Sequence, residues 1–191
     1  MLTPISRRTI FNSSPFVDQF IADMQQSYES GLSPDSSQDV AELRRLYDHR
    51  KPLKPRDLSI DGHCVIAYRP DSLNDYRKSL PLALQAFLGT LGIQQLFLLD
   101  FVKANLFDFP FENFHKRNCF KRMGVGNNKN MGYLMYTADL NKVLPLFYAA
   151  RKWDVPLIFL ITAQGNVPLS MRLCDDGNFH LNYEKVHHRQ I

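Results

Sequence analysis

Apolar residues recur at helical spacing through the first fifty positions. Val17, Phe20, Ile21, Met24 and Tyr28 fall three or four apart, which places them on one face of a helix. Ser14-Pro15 supplies a start, because proline is accepted at the first helical position, and Gly31 supplies the stop. Beyond the polar link Ser33-Pro34-Asp35-Ser36, a second stripe of Val40, Leu43, Leu46 and Tyr47 runs until Pro52 and Pro55 end it. This predicts a helical pair over residues 1–55, serving as a subdomain or a lid, ahead of a core domain over residues 56–191.

Periodicity then becomes mixed. His63-Cys64-Val65-Ile66-Ala67-Tyr68 reads as a buried strand entered from the turn Asp61-Gly62. Asp71 or Ser72 caps a following helix that carries Leu73, Tyr76 and Leu80; Pro81 restarts or kinks it, and Gly89 or Gly92 closes it. Leu96-Phe97-Leu98-Leu99 is too short a run to separate a strand from a buried helix. Residues 133–136 read as a strand. Thr137 then caps a helix whose stripe is Leu140, Val143, Leu144 and Phe147, continuing past Pro145 to about Trp153.

The last forty residues have the clearest pattern. An apolar strand over 156–162 is followed by two segments of strict alternation. Val167, Leu169, Met171 and Leu173 share one face, and Phe179, Leu181 and Tyr183 share one face. A three-residue turn with Gly177 left-handed sets Leu173 against Phe179 and Met171 against Leu181, and keeps both faces uniform. The same register sets Arg172 against His180 and Ser170 against Asn182. The expected fold is α/β or α+β, a mixed sheet ending in a C-terminal antiparallel three-stranded meander, with two N-terminal helices.

Composition bounds this picture more than it extends it. The chain has 191 residues, 45% hydrophobic and 22% charged, enough for an ordinary core without disulfide or metal staples. Its longest apolar run, Leu157-Ile158-Phe159-Leu160-Ile161, is far short of the roughly 18–20 residues of a membrane span. Arg7 and Arg8 precede no apolar stretch of the secretory kind. Three scattered cysteines, Cys64, Cys119 and Cys174, read as reduced thiols, so the expected location is cytoplasmic, with no membrane partner.

Charge changes the picture once it is partitioned. The net +4 comes from 23 Lys+Arg against 19 Asp+Glu. Residues 113–138 contain no acid and five cations, Lys116, Arg117, Lys121, Arg122 and Lys129, so the rest of the chain holds 18 basic and 19 acidic residues. Phe120 and Tyr133 lie in the same segment. Cations neutralise phosphates and aromatic faces stack on bases, so the segment is expected to contact nucleic acid or another polyanion. Gly124-Val125-Gly126-Asn127-Asn128-Lys129 lacks the Gly-Lys-Ser/Thr ending of a phosphate loop and reads as a connecting turn.

Catalytic candidates are fewer. The polar meander face carries Ser170, Arg172, Cys174, His180, Asn182 and Glu184. With Cys119 it suggests a thiol nucleophile, His180 as its base, and Asn182 or Glu184 as the group that orients the imidazole. No dedicated metal motif occurs, and no cofactor is expected. Asp100, Asp108 and Glu112 flank the basic segment and would hold Mg²⁺ if the chemistry were phosphodiester cleavage. Pro110-Phe111-Glu112-Asn113 resembles a stretch of the arylamine N-acetyltransferases. Lys116-Arg117-Asn118-Cys119 lacks the glycines that precede that family's nucleophile, and no family is assigned.

The leading expectation is a small accessory or regulatory protein that binds nucleic acid through residues 113–138. The alternatives are a small hydrolase, using Cys/His or metal-dependent phosphodiester chemistry, and a protein-binding inhibitor whose N-terminal helices offer an apolar stripe to a partner.

Overall fold

The computed structural model describes residues 1–31, 37–48, 62–66, 72–103, 114–147, 158–163, 168–173 and 178–183. The elements, in chain order, are β1 (Thr3–Ser6), α1 (Arg7–Ser13), α2 (Pro15–Ser30), α3 (Ser37–Arg45), β2 (Gly62–Ile66), α4 (Leu73–Thr90) and β3 (Gln95–Asp100). They continue with α5 (Phe114–Arg122), β4 (Met131–Tyr136), a 3₁₀ turn (Thr137–Asp139), α6 (Leu140–Phe147), β5 (Ile158–Thr162), β6 (Leu169–Leu173) and β7 (Phe179–Tyr183). The strands form one sheet in the order β1-β4-β3-β5-β6-β7-β2. Every pairing is antiparallel, which decides for α+β over α/β. Strands β5, β6 and β7 are the expected meander. Leu173 faces Phe179, Met171 faces Leu181, Arg172 faces His180 and Ser170 faces Asn182.

Local chemistry sets the helix ends. Ser14 Oγ accepts from the Val17 N–H with Pro15 at the first helical position, and Ser72 Oγ accepts from the Asp75 N–H. Helix α4 runs through Pro81 as one helix. It ends at Gly92, whose φ of +69° suits glycine, while the Ile93 N–H bonds back to the Leu88 carbonyl. The ambiguous run 96–99 is the middle of β3. It is bonded on both sides, to β4 and β5, so its successive residues are buried on alternate faces.

Strand parity divides the core in two. Leu96, Leu98, Tyr133, Met135, Leu160, Met171 and Leu181 pack under α4, α5 and α6, meeting Leu80, Leu84, Leu88, Phe120, Leu140 and Leu144. On the opposite face, Phe97, Leu99, Phe159 and Ile161 meet Ile10, Phe11, Val17, Phe20 and Ile21 of α1 and α2. Phe20 stands edge-on to Phe159 with ring centroids 5.0 Å apart. Burying each such side chain contributes about 1.5–3 kcal/mol, so the sheet is held from both faces.

Residues on both sides of position 55 share one sheet and its cover, because β1 pairs with β4 and α2 packs on β3 and β5. Of the apolar stripe of the N-terminal helices, Val17, Phe20 and Ile21 are buried in the same packing, whereas Tyr28 and Leu46 are exposed. The strand read as buried at residues 63–68 is the edge strand β2. Among the described residues it bonds only to β7, and His63, Cys64 and Val65 are exposed.

Arg7 locks the N-terminal layer to the sheet. Its Nε and Nη2 donate to the Asp48 carboxylate, and its Nη1 donates to the Asp100 carbonyl at 2.9 Å. Its side chain is 3% exposed, and its guanidinium carbon lies 5.4 Å from the Phe11 ring centre. A desolvated guanidinium needs all of these partners, and three bonds plus the ring supply them.

Candidate functional site

The basic segment is built around the end of α5. Gly124 has φ +98°; its N–H bonds to the Lys121 carbonyl, and the Val125 N–H bonds to the Phe120 carbonyl. That pattern is a Schellman cap, with the expected apolar contact between buried Val125 and buried Phe120. The cap is tied to the sheet edge. The Leu2 N–H bonds to the Met123 carbonyl and the Arg7 N–H bonds to the Asn130 carbonyl, both at 2.9 Å. Asn128 closes the turn, its Oδ1 accepting from the Asn130 N–H.

This geometry sorts the expected binding residues. Lys121 and Arg122, in the last turn of α5, and Lys129, in the following turn, are exposed. Lys116 and Arg117 fall on α5, with side chains outside the described residues. Phe120 and Tyr133 are corrected: both rings are buried under the sheet, and the Tyr133 hydroxyl donates inward to the Gly126 carbonyl. Neither ring presents a face to a base, and burial raises the Tyr133 hydroxyl pKa. The glycine turn is a helix cap, because the Gly124 and Val125 N–H groups are already spent on helix carbonyls. Sequence reasoning missed Arg8, which is exposed at the start of α1, directly after the residue bonded to Asn130. The contact spans more than a hundred positions, so no local pattern signals it. The first acid beyond the segment, Asp139, accepts from Lys142 Nζ at 2.7 Å, and that bond holds its carboxyl below the usual range.

The polar meander face lies toward the other edge of the sheet. Ser170, Arg172, His180 and Asn182 share this face with His63 and Val65 of the edge strand, as the pairings require. Ser170 is fully buried, and its Oγ has no hydrogen-bond partner among the described residues. His63 Nε2 and His180 Nδ1 are 3.2 Å apart.

Among the described residues, Cys119 and His180 are not brought together. Cys119 belongs to α5, in the helical layer under one face, whereas His180 projects from the other. Cys64 follows Leu181 in parity and also faces away from His180. Cys64 and Cys119 are free thiols; Cys174 and Glu184 lie outside the described residues. Asp100 is buried at the end of β3 with Oδ1 accepting from the Val102 N–H, and burial pushes its carboxyl up to about 6. An enclosed carboxyl whose charged form burial already disfavours is a poor Mg²⁺ ligand. Asp108 and Glu112 lie outside the described residues. Among the described residues, no group of three or more His, Cys, Asp or Glu is placed to hold a metal, and no helix is long and apolar enough to cross a membrane.

No family model, curated protein or solved structure matches this chain.

Proposed function

We propose that the protein is a nucleic-acid-binding accessory protein that contacts backbone phosphates through Lys121, Arg122 and Lys129, joined by Arg8. One observation carries the reading: three exposed cations sit on a capped turn bonded to the sheet edge, within a segment that contains no acid. Fixed cations of one sign draw a polyanion by releasing its condensed counterions. With Phe120 and Tyr133 inside the core, the contacts at the turn are mainly ionic, and Tyr136 is the exposed ring among the segment's described residues. The reading therefore favours the regular phosphate rows of a duplex over unstacked single strands.

Titrating a fluorescent 20-base-pair duplex at several salt concentrations tests this. Four phosphate contacts predict a log–log slope of about −3.6, and Lys121→Glu with Arg122→Glu should flatten it by about 2. Both substituted side chains are exposed, so the fold should survive. Binding by the wild type that ignores salt, or an unchanged slope in the double variant, overturns the proposal. Tighter binding to inorganic polyphosphate than to the duplex would make the site a general polyanion site instead.

A further inference from the structure

Toward its β2 edge, the second sheet face carries a pair of imidazoles whose arrangement is independent of the basic turn. That turn sits at the β1 edge, and the imidazoles sit at the opposite, β2 edge. His63 lies on β2 directly across from Asn182, and His180 lies on β7 directly across from Val65. Both histidines therefore project from one face on adjacent strands, as diagonal neighbours. Their rings are tilted by 32° with centroids 5.4 Å apart, and His63 Nε2 approaches His180 Nδ1 to 3.2 Å.

Two ring nitrogens at that distance point toward each other and share one hydrogen bond. In the neutral pair, one carries the N–H and the other the lone pair that receives it. Arg172 lies directly across from His180. A divalent ion can take the place of the bridging proton, sitting off the N–N line where both lone pairs reach it. The displaced N–H moves to the far nitrogen of its own ring, both imidazoles stay neutral, and two lone pairs face the metal.

The separation also fits. Two Zn–N bonds of ~2.0–2.1 Å at a tetrahedral angle put the nitrogens about 3.3 Å apart. The geometry points to a surface site for a borderline divalent transition ion, Zn²⁺ by preference, held by His63 Nε2 and His180 Nδ1. Asn182, across from His63, can offer its amide oxygen as a third ligand, and solvent completes the shell at the exposed edge. Hard ions such as Mg²⁺ prefer oxygen ligands and are excluded by the two imidazoles. The bound ion joins the edge strand to its neighbour, so the site clips β2 onto β7. Arg172 weakens the attraction for a cation, which makes this a site of moderate affinity rather than a structural zinc centre.

The test uses untagged full-length protein and competition for Zn²⁺ with a chromogenic indicator. The expected result is one equivalent bound, with affinity reduced about tenfold or more in both His63→Gln and His180→Gln. Cys64→Ser, whose thiol faces away from the pair, should bind as the wild type does, and Mg²⁺ should not compete. Should His180→Gln fail to fold, His63→Gln alone decides, because His63 is an exposed edge residue. Unchanged Zn²⁺ affinity in His63→Gln overturns the site, and so does absence of binding by the wild type. Inorganic phosphate displacing the ion while binding through the same histidines would make it an anion site and would equally overturn it.

Discussion

Replacing Asp100 by asparagine should stabilise the protein at neutral and alkaline pH and give no such gain near pH 4. Asp100 is 7% exposed, and burial pushes its carboxyl from 3.8 to about 6. Desolvation outweighs the N–H groups of Val102 and Phe101 and the charge of Arg7, all of which favour the carboxylate. The folded chain thus binds this proton more tightly than the unfolded chain does. Below 3.8 both states are protonated and the group costs nothing. As pH rises from 3.8 to about 6 the cost grows, and above 6 it is constant. Two units at 1.36 kcal/mol each give a ceiling of about 3 kcal/mol. Asparagine never ionises and keeps Oδ1 for the Val102 N–H. In a chain of this size, 1 kcal/mol moves Tm by about 2–4 °C, so the variant gains up to ~6–12 °C at pH 8. The decisive quantity is the stability change measured by urea unfolding at pH 8 minus that at pH 4, in which every other titrating group cancels. A difference of zero refutes the reasoning, and so does one of opposite sign.

Other consequences are sharper for stability than for activity. Arg7→Lys should cost about 3–5 kcal/mol in urea unfolding, because an ammonium cannot span the Asp48 carboxylate and the Asp100 carbonyl together. A loss under 1 kcal/mol would show that the buried pair is not what anchors α1. Gly124→Ala should lose more than about 1 kcal/mol, since φ is +98° and the added Cβ would sit 2.7 Å from the Leu2 carbonyl oxygen. Gly126→Ala, with open space around it and no positive φ, should unfold within about 0.5 kcal/mol of the wild type. Equal effects at the two glycines would contradict the capping account.

Much of the architecture is legible locally. Strict alternation over 167–173 and 179–183, with a turn that must keep each face uniform, leaves one register, and the pairing of Arg172 with His180 follows from it. Ser14-Pro15 and Ser72 mark helix starts because a side-chain oxygen can satisfy the first free N–H groups wherever they occur. What stayed illegible is long-range. Thr3–Ser6 has no strand pattern of its own and is a strand because β4 offers it an edge. Arg7 reads as an ordinary cation, and only the fold brings Asp48 and the end of β3 around it.

The candidate sites divide in the same way. Absence of acids over residues 113–138 is a property of the sequence, and exposed Lys121, Arg122 and Lys129 keep that meaning in three dimensions. Whether Phe120 and Tyr133 stack on a ligand or fill the core depends on which way a helix and a strand face. That is decided by what covers them. Cys119 and His180 are suitable chemical types on opposite sides of one sheet, and a sheet about one residue thick is an absolute barrier to their meeting. The sequence determined by itself the elements, the meander register and the concentration of charge, because these depend on neighbours within a few residues. The tertiary structure alone decided which side chains share a face, and so placed His63 beside His180 across 117 positions of chain.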